Sequence, residues 1–357
     1  MPATRIRLTG VLAAIVVILT ARLDLAFAQT SAEAFKSLDL KNPERRAKLV
    51  EGAKREGKLV FYGTLGVDAS RPFLELFRKS HPYISIDHYR SNEGGIYNKV
   101  ATEASAGKHS VDVIESAALT ASNLIDRGLV DPYNSPESGA MRAEFVDPKR
   151  SWHGYSYLPV ALGYNKRYVK ESELPKNYDD LLLPTWKGRL SLDKDDGDIF
   201  RVFFDAWGED RALQYFKRLA NQQIEFRSGH TLQAQLLAAG EIAAAPWLYS
   251  HRLMMLMDNG APVGLLFLDP VVSVPKMFML ARRAQHPYAA ALFIDWALSS
   301  EAQHFVGMTI GRSPARRGQQ QRYPKLGDPK TFPMTPELLG ANFDRYAKLY
   351  REIFALK

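Results

Sequence analysis

Between residues 58 and 130 the chain alternates short apolar runs with helical stripes, and this rhythm leaves few folds open. In "GKLVFYGTLG", Leu59-Val60-Phe61-Tyr62 is apolar throughout and bounded by glycines, the mark of a strand buried on both faces. "SRPFLELFRKSHP" then places Phe73, Leu74, Leu76 and Phe77 on one helical stripe that Pro82 stops. "YISIDHYR" is a second strand, and "SNEGGIYNKVATEASAG" starts a helix with Ser91 or Asn92 at its N-cap. "VDVIES" is a third buried strand and "ALTASNLIDRGLV" a third helix. Such alternation predicts a doubly wound α/β layer.

Two later stretches break the rhythm. "HGYSYLPVALGYNK" (residues 153–166) and "GLLFLDPVVSVPKMFMLARRA" are long, extended and apolar, and read as crossings between two lobes. Between them lie helices near "IFRVFFDAWG", "RALQYFKRLA" and "TLQAQLLAAGE", and a strand inside "GEIAAAPWLYSHR". "HPYAAALFIDWALSSEAQHFVG" reads as an amphipathic helix broken at Ser299-Ser300, and Arg45, Arg46, Lys48 and Glu51 as the wet side of an early helix. The expected organisation is a first lobe from residues 29–160 with a return segment 268–318, and a second lobe from 161–267. C-terminal helices in 319–357 are expected to pack on the second lobe. In such a fold strand carboxyl ends and helix N-termini face the gap, and a ligand belongs there.

The N-terminus points to export. Arg5 and Arg7 precede the apolar run Leu8–Leu19, and Ala26-Phe27-Ala28 offers an A-x-A exit, which predicts a signal peptide cleaved after Ala28 and a periplasmic product. The apolar run is short of the roughly 20 residues that span a bilayer. The chain has no cysteine, so neither disulfides nor a lipidated N-terminal cysteine are expected. Its formal charge of +8 is scattered in single residues and pairs rather than in a nucleic-acid motif, and no nucleic-acid partner is expected. Neither a G-x-S-x-G elbow, an H-E-x-x-H helix nor a phosphate-loop motif is present, and the eight histidines are dispersed, which argues against an enzyme.

"GKLVFYGTLG", "VDVIES", "LPKNYDDLLLPTWKGRLSL", "AAGEIAAAPW" and "HPYAAALFIDWALSSEAQ" followed by "GRSPARRG" occur in an order that resembles periplasmic solute-binding proteins of ABC importers, in the branch containing ferric-iron-binding proteins. The resemblance spans roughly residues 55–318. It implies a type II periplasmic binding protein, two doubly wound lobes joined by extended hinges, that carries a small solute to a membrane permease. It implies no resident cofactor, ferric iron being a conceivable cargo, and a monomeric carrier. In iron-binding members two adjacent tyrosines follow the strand after "GE-AAA"; here the matching residues are Tyr249, Ser250 and His251. Tyr249 and His251 are therefore the candidate metal ligands, and ferric iron, an iron chelate and an organic anion all stay open as cargo. A carrier feeding a membrane sensor, and a hydrolase or transferase on the same frame, are the alternatives.

The candidate ligand contacts sit at expected strand ends and helix starts: Tyr62, Thr64, Ser91, Asn92, Ser116, Trp247, Tyr249, Ser250 and His251, with Arg312 and Glu115 as weaker candidates. A tryptophan face and an arginine suit a planar carboxylate. "LDKDDGD", with Asp193, Asp195, Asp196 and Asp198, fails the EF-hand spacing and reads first as a solvated turn, although its charge favours a cationic or metal ligand over an anion.

Overall fold

The computed structural model describes residues 40–323, 329–340 and 342–356; the predicted export segment lies outside the described residues. The chain opens with helix α1 (Arg45–Glu56), β1 (Lys58–Gly63), α2 (Val67–Ser80), β2 (Ser85–Arg90), α3 (Glu93–Ser105), β3 (Val113–Ser116), α4 (Ala118–Asp126) and β4 (Val130–Asp131). β2, β1 and β3 pair in parallel. Alternation along β1 serves two cores. Leu59 and Phe61 join Phe73, Phe77 and Phe293 on one face, and Val60 and Tyr62 join Ile96 and Val100 on the other.

The thirteen residues of β5 (His153–Asn165) are all buried. After it come β6 (Ser191–Asp193), α5 (Gly197–Trp207), α6 (Glu209–Leu219), β7 (Glu225–Arg227), α7 (His230–Ala239), β8 (Ala244–Tyr249), α8 (Ser250–Asp258), β9 (Val263–Leu266) and β10 (Val271–Ala281). The first half of β5 runs antiparallel to β10, which continues the β2-β1-β3 sheet. Its second half, from Val160, lies between β8 and β9. A Leu190–Ala244 bridge ties the β6-β7 pair to β8. One strand thus belongs to both sheets. We call the part built on β2-β1-β3-β10 the first lobe and the part built on β7-β6-β8-β9 the second.

The last elements are α9 (Pro287–Leu298), α10 (Ser300–Phe305), β11 (Ser313–Pro314), β12 (Thr331–Pro333), α11 (Pro336–Leu339) and α12 (Phe343–Ile353). Ser299 separates α9 from α10 and caps the latter, its hydroxyl accepting from the Ala302 N–H at 3.4 Å. α9 departs from the amphipathic expectation: every residue from Ala289 to Leu298 is buried. The reason is α1, which covers its outer side and comes so close that a Cβ at Gly52 would lie 2.4 Å from the Tyr288 ring. Tyr346 and Tyr350 of α12 pack on Phe204 and Phe200 of α5, with ring centroids 4.9 and 5.4 Å apart.

Arg45, expected on the wet side of its helix, is instead 6 % exposed. Its guanidinium reaches Asp295 of α9 at 2.9 Å and the Tyr133 hydroxyl at 2.5 Å, and Tyr133 donates to Asp295 at 2.8 Å. Each polar group bonds the other two, as a buried ion pair requires, although Arg45 Nε is left without a partner. Removing one partner leaves an uncompensated buried charge. Asp295→Ala should therefore cost about 3 kcal/mol in urea unfolding, whereas Lys48→Ala, at a surface pair with the lysine 46 % exposed, should change stability by no more than about 0.5 kcal/mol. Equal costs would contradict this assignment.

Candidate functional site

Three strands of the first lobe end at one edge and present Gly63–Leu65, Ser91–Glu93 and Glu115–Ala117 there. Glu115 is fully buried and organises this edge. One oxygen accepts from the Thr64 N–H (2.6 Å), the Thr64 hydroxyl (2.9 Å) and the Leu65 N–H (3.1 Å); the other accepts from the Tyr155 hydroxyl at 3.1 Å. Glu115 is therefore an internal anchor for the 64–65 turn rather than a ligand for cargo. Glu93 accepts from the Ala117 N–H at the start of α4 (3.1 Å) and from Lys276 (2.7 Å). Burial alone would raise its pKa, but Lys276 and the Ala117 N–H reverse this and hold it below the ordinary value. Lys276 also donates to the Thr64 hydroxyl at 3.3 Å. The first-lobe wall is thus charged but internally paired.

The second-lobe wall starts where β6 delivers Asp193. Its two oxygens accept from the Asp195 N–H (3.1 Å) and the Gly229 N–H (2.6 Å), so this carboxylate folds the loop. Asp196 stands 2.9 Å from Nε2 of His230 through Oδ1, while its buried Oδ2 has no partner. Burial would lower the His230 pKa, yet Asp196, then Asp193 and Asp198, raise it to about 9. Asp193, Asp196 and His230 bring ligand-competent atoms within 4.8 Å of one another, a trio able to hold a metal ion. Burial and then Asp196 push Asp198 up to about 6. Excess negative charge collects at this end.

Tyr249 closes β8 with its ring 4.6 Å from that of His230 and 6.1 Å from that of His251, centroid to centroid. Burial, then Asp198, Asp196 and Glu93 of the opposite lobe, raise the phenol's pKa, so it stays protonated. Beyond it α8 begins with no side-chain cap on its free N–H groups. Ser250 Oγ and His251 Nδ1 are both buried there without a partner. Burial, then Arg312 and Arg252, hold the His251 pKa well below the ordinary range, so this imidazole is neutral. Arg312 comes from the first lobe, where it donates to the Tyr155 hydroxyl at 3.1 Å.

Of the residues named from sequence, Thr64, Tyr249, Ser250 and His251 converge on this gap, and Arg312 joins them. The others have different places. Tyr62 donates to Glu103 (3.1 Å) with Lys99 over its ring, inside the α3 layer. Asn92 caps α3 by accepting from the Gly95 N–H at 2.9 Å, and Ser91 lies against Gly95, where a Cβ would come within 2.0 Å of its hydroxyl. Ser116 is buried and bonded to the Ala117 carbonyl at 3.3 Å. Trp247 corrects the expectation of an aromatic cleft wall: it packs on Phe203 and Phe216 at 5.5 and 5.9 Å. It shares a sheet face with Tyr249, but the helix layer covers the first and runs out before the second. For the metal pair, Tyr249 and His251 are neighbours, yet Arg312 and Arg252 make the His251 surroundings repel a cation. Sequence reasoning missed His230, a lone histidine at a helix start. It also passed over Lys276, whose isolated charge in an apolar strand is a readable signal.

A family profile described as bacterial extracellular solute-binding protein matches residues 112–336, well over half of the chain. The chain belongs to that family. Family members of this kind are the extracytoplasmic solute-binding components of ABC importers. A curated relative, an Fe(3+)-binding periplasmic protein of Serratia marcescens, is 20% identical over 268 residues, covering 72% of this chain and 78% of its own. Iron-bound HitA of Pseudomonas aeruginosa superposes with a TM-score of 0.70 at 18% identity, over 83% of this chain and 99% of its own. AfuA of Actinobacillus pleuropneumoniae, solved with fructose-6-phosphate, gives 0.69 at 20% identity, over 84% and 99%. These likenesses give this family member the type II periplasmic binding fold, and the matched relatives are binding proteins. Among the described residues no helix is long and apolar enough to cross a membrane.

The charged His230–Asp196 pair has a defined pH window. With a folded pKa of about 9 against about 6.5 unfolded, its stabilisation is full below pH 6.5 and is lost as pH rises through 9. His230→Gln should be less stable than the parent by on the order of 2 kcal/mol at pH 6.5, with the gap closing by about pH 10. Urea titrations at both pH values measure this; a constant gap would refute the ion pair.

Proposed function

We propose that this protein captures a small organic anion between its lobes and presents it to the permease of an ABC importer, without turnover and without a resident cofactor. The observation that carries this reading is the start of α8. Ser250 Oγ and His251 Nδ1 are buried and unpartnered there, beside uncapped backbone N–H groups and opposite Arg312. Each buried polar group left unsatisfied costs about 1–3 kcal/mol. An anionic group accepting from the helix start and from Arg312 removes that cost and meets the positive end of the helix dipole.

Bare ferric ion fits this gap poorly. Ser250 stands where a second phenol would be needed, and Tyr249 is held protonated by burial and neighbouring carboxylates. The matched relatives include proteins named for iron and one solved with a phosphorylated sugar; the α8 chemistry favours the organic side. With the lobe limits expected at 160/161 and 267/268, the hinge of this reading falls in β5 and in the segment before β10.

Calorimetry on ligand-stripped protein tests the proposal. Organic phosphates and carboxylates should include binders, and a ligand at 100 times its Kd should add about 2.7 kcal/mol to unfolding stability. Arg312→Ala and Ser250→Ala should each weaken such a binder tenfold or more with an unchanged circular dichroism spectrum. Tight ferric binding with a visible phenolate-to-iron absorption band, and no response to any organic anion, would overturn the reading.

A further inference from the structure

We infer that Tyr323 is a positioning residue for solute capture. Its ring is wedged between the turn that leads into Arg312 and the helix that starts at Ser250, and keeps the two within reach of each other. That these are the two halves of the binding site rests on the anion reading above; the wedge itself stands on separate contacts.

By its backbone, the segment that delivers Tyr323 belongs to the first lobe. The Gln319 amide donates to the Ser300 hydroxyl at 3.0 Å, and the Arg322 N–H donates to the Gly307 carbonyl at 3.0 Å. The chain runs so close to the turn Val306–Ile310 that a Cβ at Gly307 would lie 2.1 Å from the Gln320 carbonyl oxygen. Val306 of that turn is part of the first-lobe core.

The ring goes elsewhere. Tyr323 is 3 % exposed and forms one buried cluster with Met254 of α8, against which Met257, Leu265 and Phe267 of the second lobe pack. The same ring lies against Gly311, where a Cβ would come within 3.1 Å of it. Gly311 immediately precedes Arg312, and Met254 follows Ser250 by about one helical turn. One side chain therefore touches the residue before the first-lobe cation and the helix whose start takes the anion. A tyrosine that merely anchored its own segment would bury itself in the first-lobe core from which that segment comes. Burial against the opposite lobe ties the contact to lobe separation instead. Lobes that part must withdraw Tyr323 from Met254 and return both to water. The ring thus favours the arrangement in which Arg312 faces α8. Losing it lowers the fraction of molecules ready to bind, and the apparent Kd rises in proportion.

The chain has no cysteine, so spin labels at Asp87→Cys and Lys348→Cys report lobe separation from exposed sites on β2 and on α12. In ligand-free protein, Tyr323→Ala and Met254→Ala should each move the inter-label distances to longer values, and Tyr323→Phe should keep the parent distribution. Calorimetry then uses citrate and glycerol phosphate as probes. Tyr323→Ala should weaken the tighter of the two by about tenfold, and by less than about twofold when Arg312 is already alanine. Unchanged distances in both alanine variants would overturn the wedge. An equal loss of affinity with and without Arg312 would also overturn it, making Tyr323 a support for α8 alone. If the parent binds neither anion, the anion reading fails and the distance distributions alone decide the wedge.

Discussion

Everything at the gap is measured off one strand. β5 is buried for its whole length, so each of its backbone groups needs a partner, and it finds them in two sheets in succession. Within six consecutive residues it meets most of the site. Tyr155 bonds Glu115 and accepts from Arg312, Ser156 pairs with Lys276, Tyr157 with Ser313, and Val160 with Tyr249. A one-residue slip would turn every side chain to the opposite face, and the two core faces forbid it. The register of the Arg312 end and of Tyr249 along β5 is therefore set by strand pairing rather than by loop conformation.

Upon that frame the charges are sorted by lobe. First-lobe charges are bonded locally: Glu93 pairs with Lys276, and Glu115 accepts from four neutral donors. The field in the gap is left to the second lobe and Arg312. Two histidines with rings near Tyr249 record that field in opposite senses. His230 is charged because carboxylates surround it, and His251 is neutral because it is buried beside arginines. One residue type is thus held in two states by different neighbours, with both rings near Tyr249.

How much of this the sequence disclosed depends on the range of the interaction. The strand and helix order of the first lobe was legible because glycine-bounded apolar runs and helical stripes are local signals. The crossing strand was legible because its extended, mostly apolar run is too long for one sheet edge. The strand-end positions of Thr64, Tyr249, Ser250 and His251 were legible because β1 and β8 end where their apolar runs do. Trp247 did not, because what decides its burial is the reach of α5 and α6, which pattern along β8 does not contain. Arg45 was misplaced for a similar reason: its partners Asp295 and Tyr133 lie 250 and 88 residues away. "LDKDDGD" read as a wet turn because nothing local says that Gly229 and His230 fold over it.

In the proposed anion site, selectivity falls to unsatisfied atoms. Ser250 Oγ and His251 Nδ1 are both buried without partners at the start of α8, whereas the buried carboxylates of Glu115 and Asp295 are bonded. A solute that completes these atoms recovers desolvation already incurred on folding, whereas one lacking a group leaves the same atom orphaned and buried. Discrimination built in this way is steep, because an apolar wall distinguishes ligands by a methylene's worth of contact while an orphaned polar atom rejects the incomplete one outright. The aromatic mass of the second lobe, Trp247 included, then serves a different end. It backs β8 from the helix side, so that Tyr249 and the start of α8 keep their places within the second lobe.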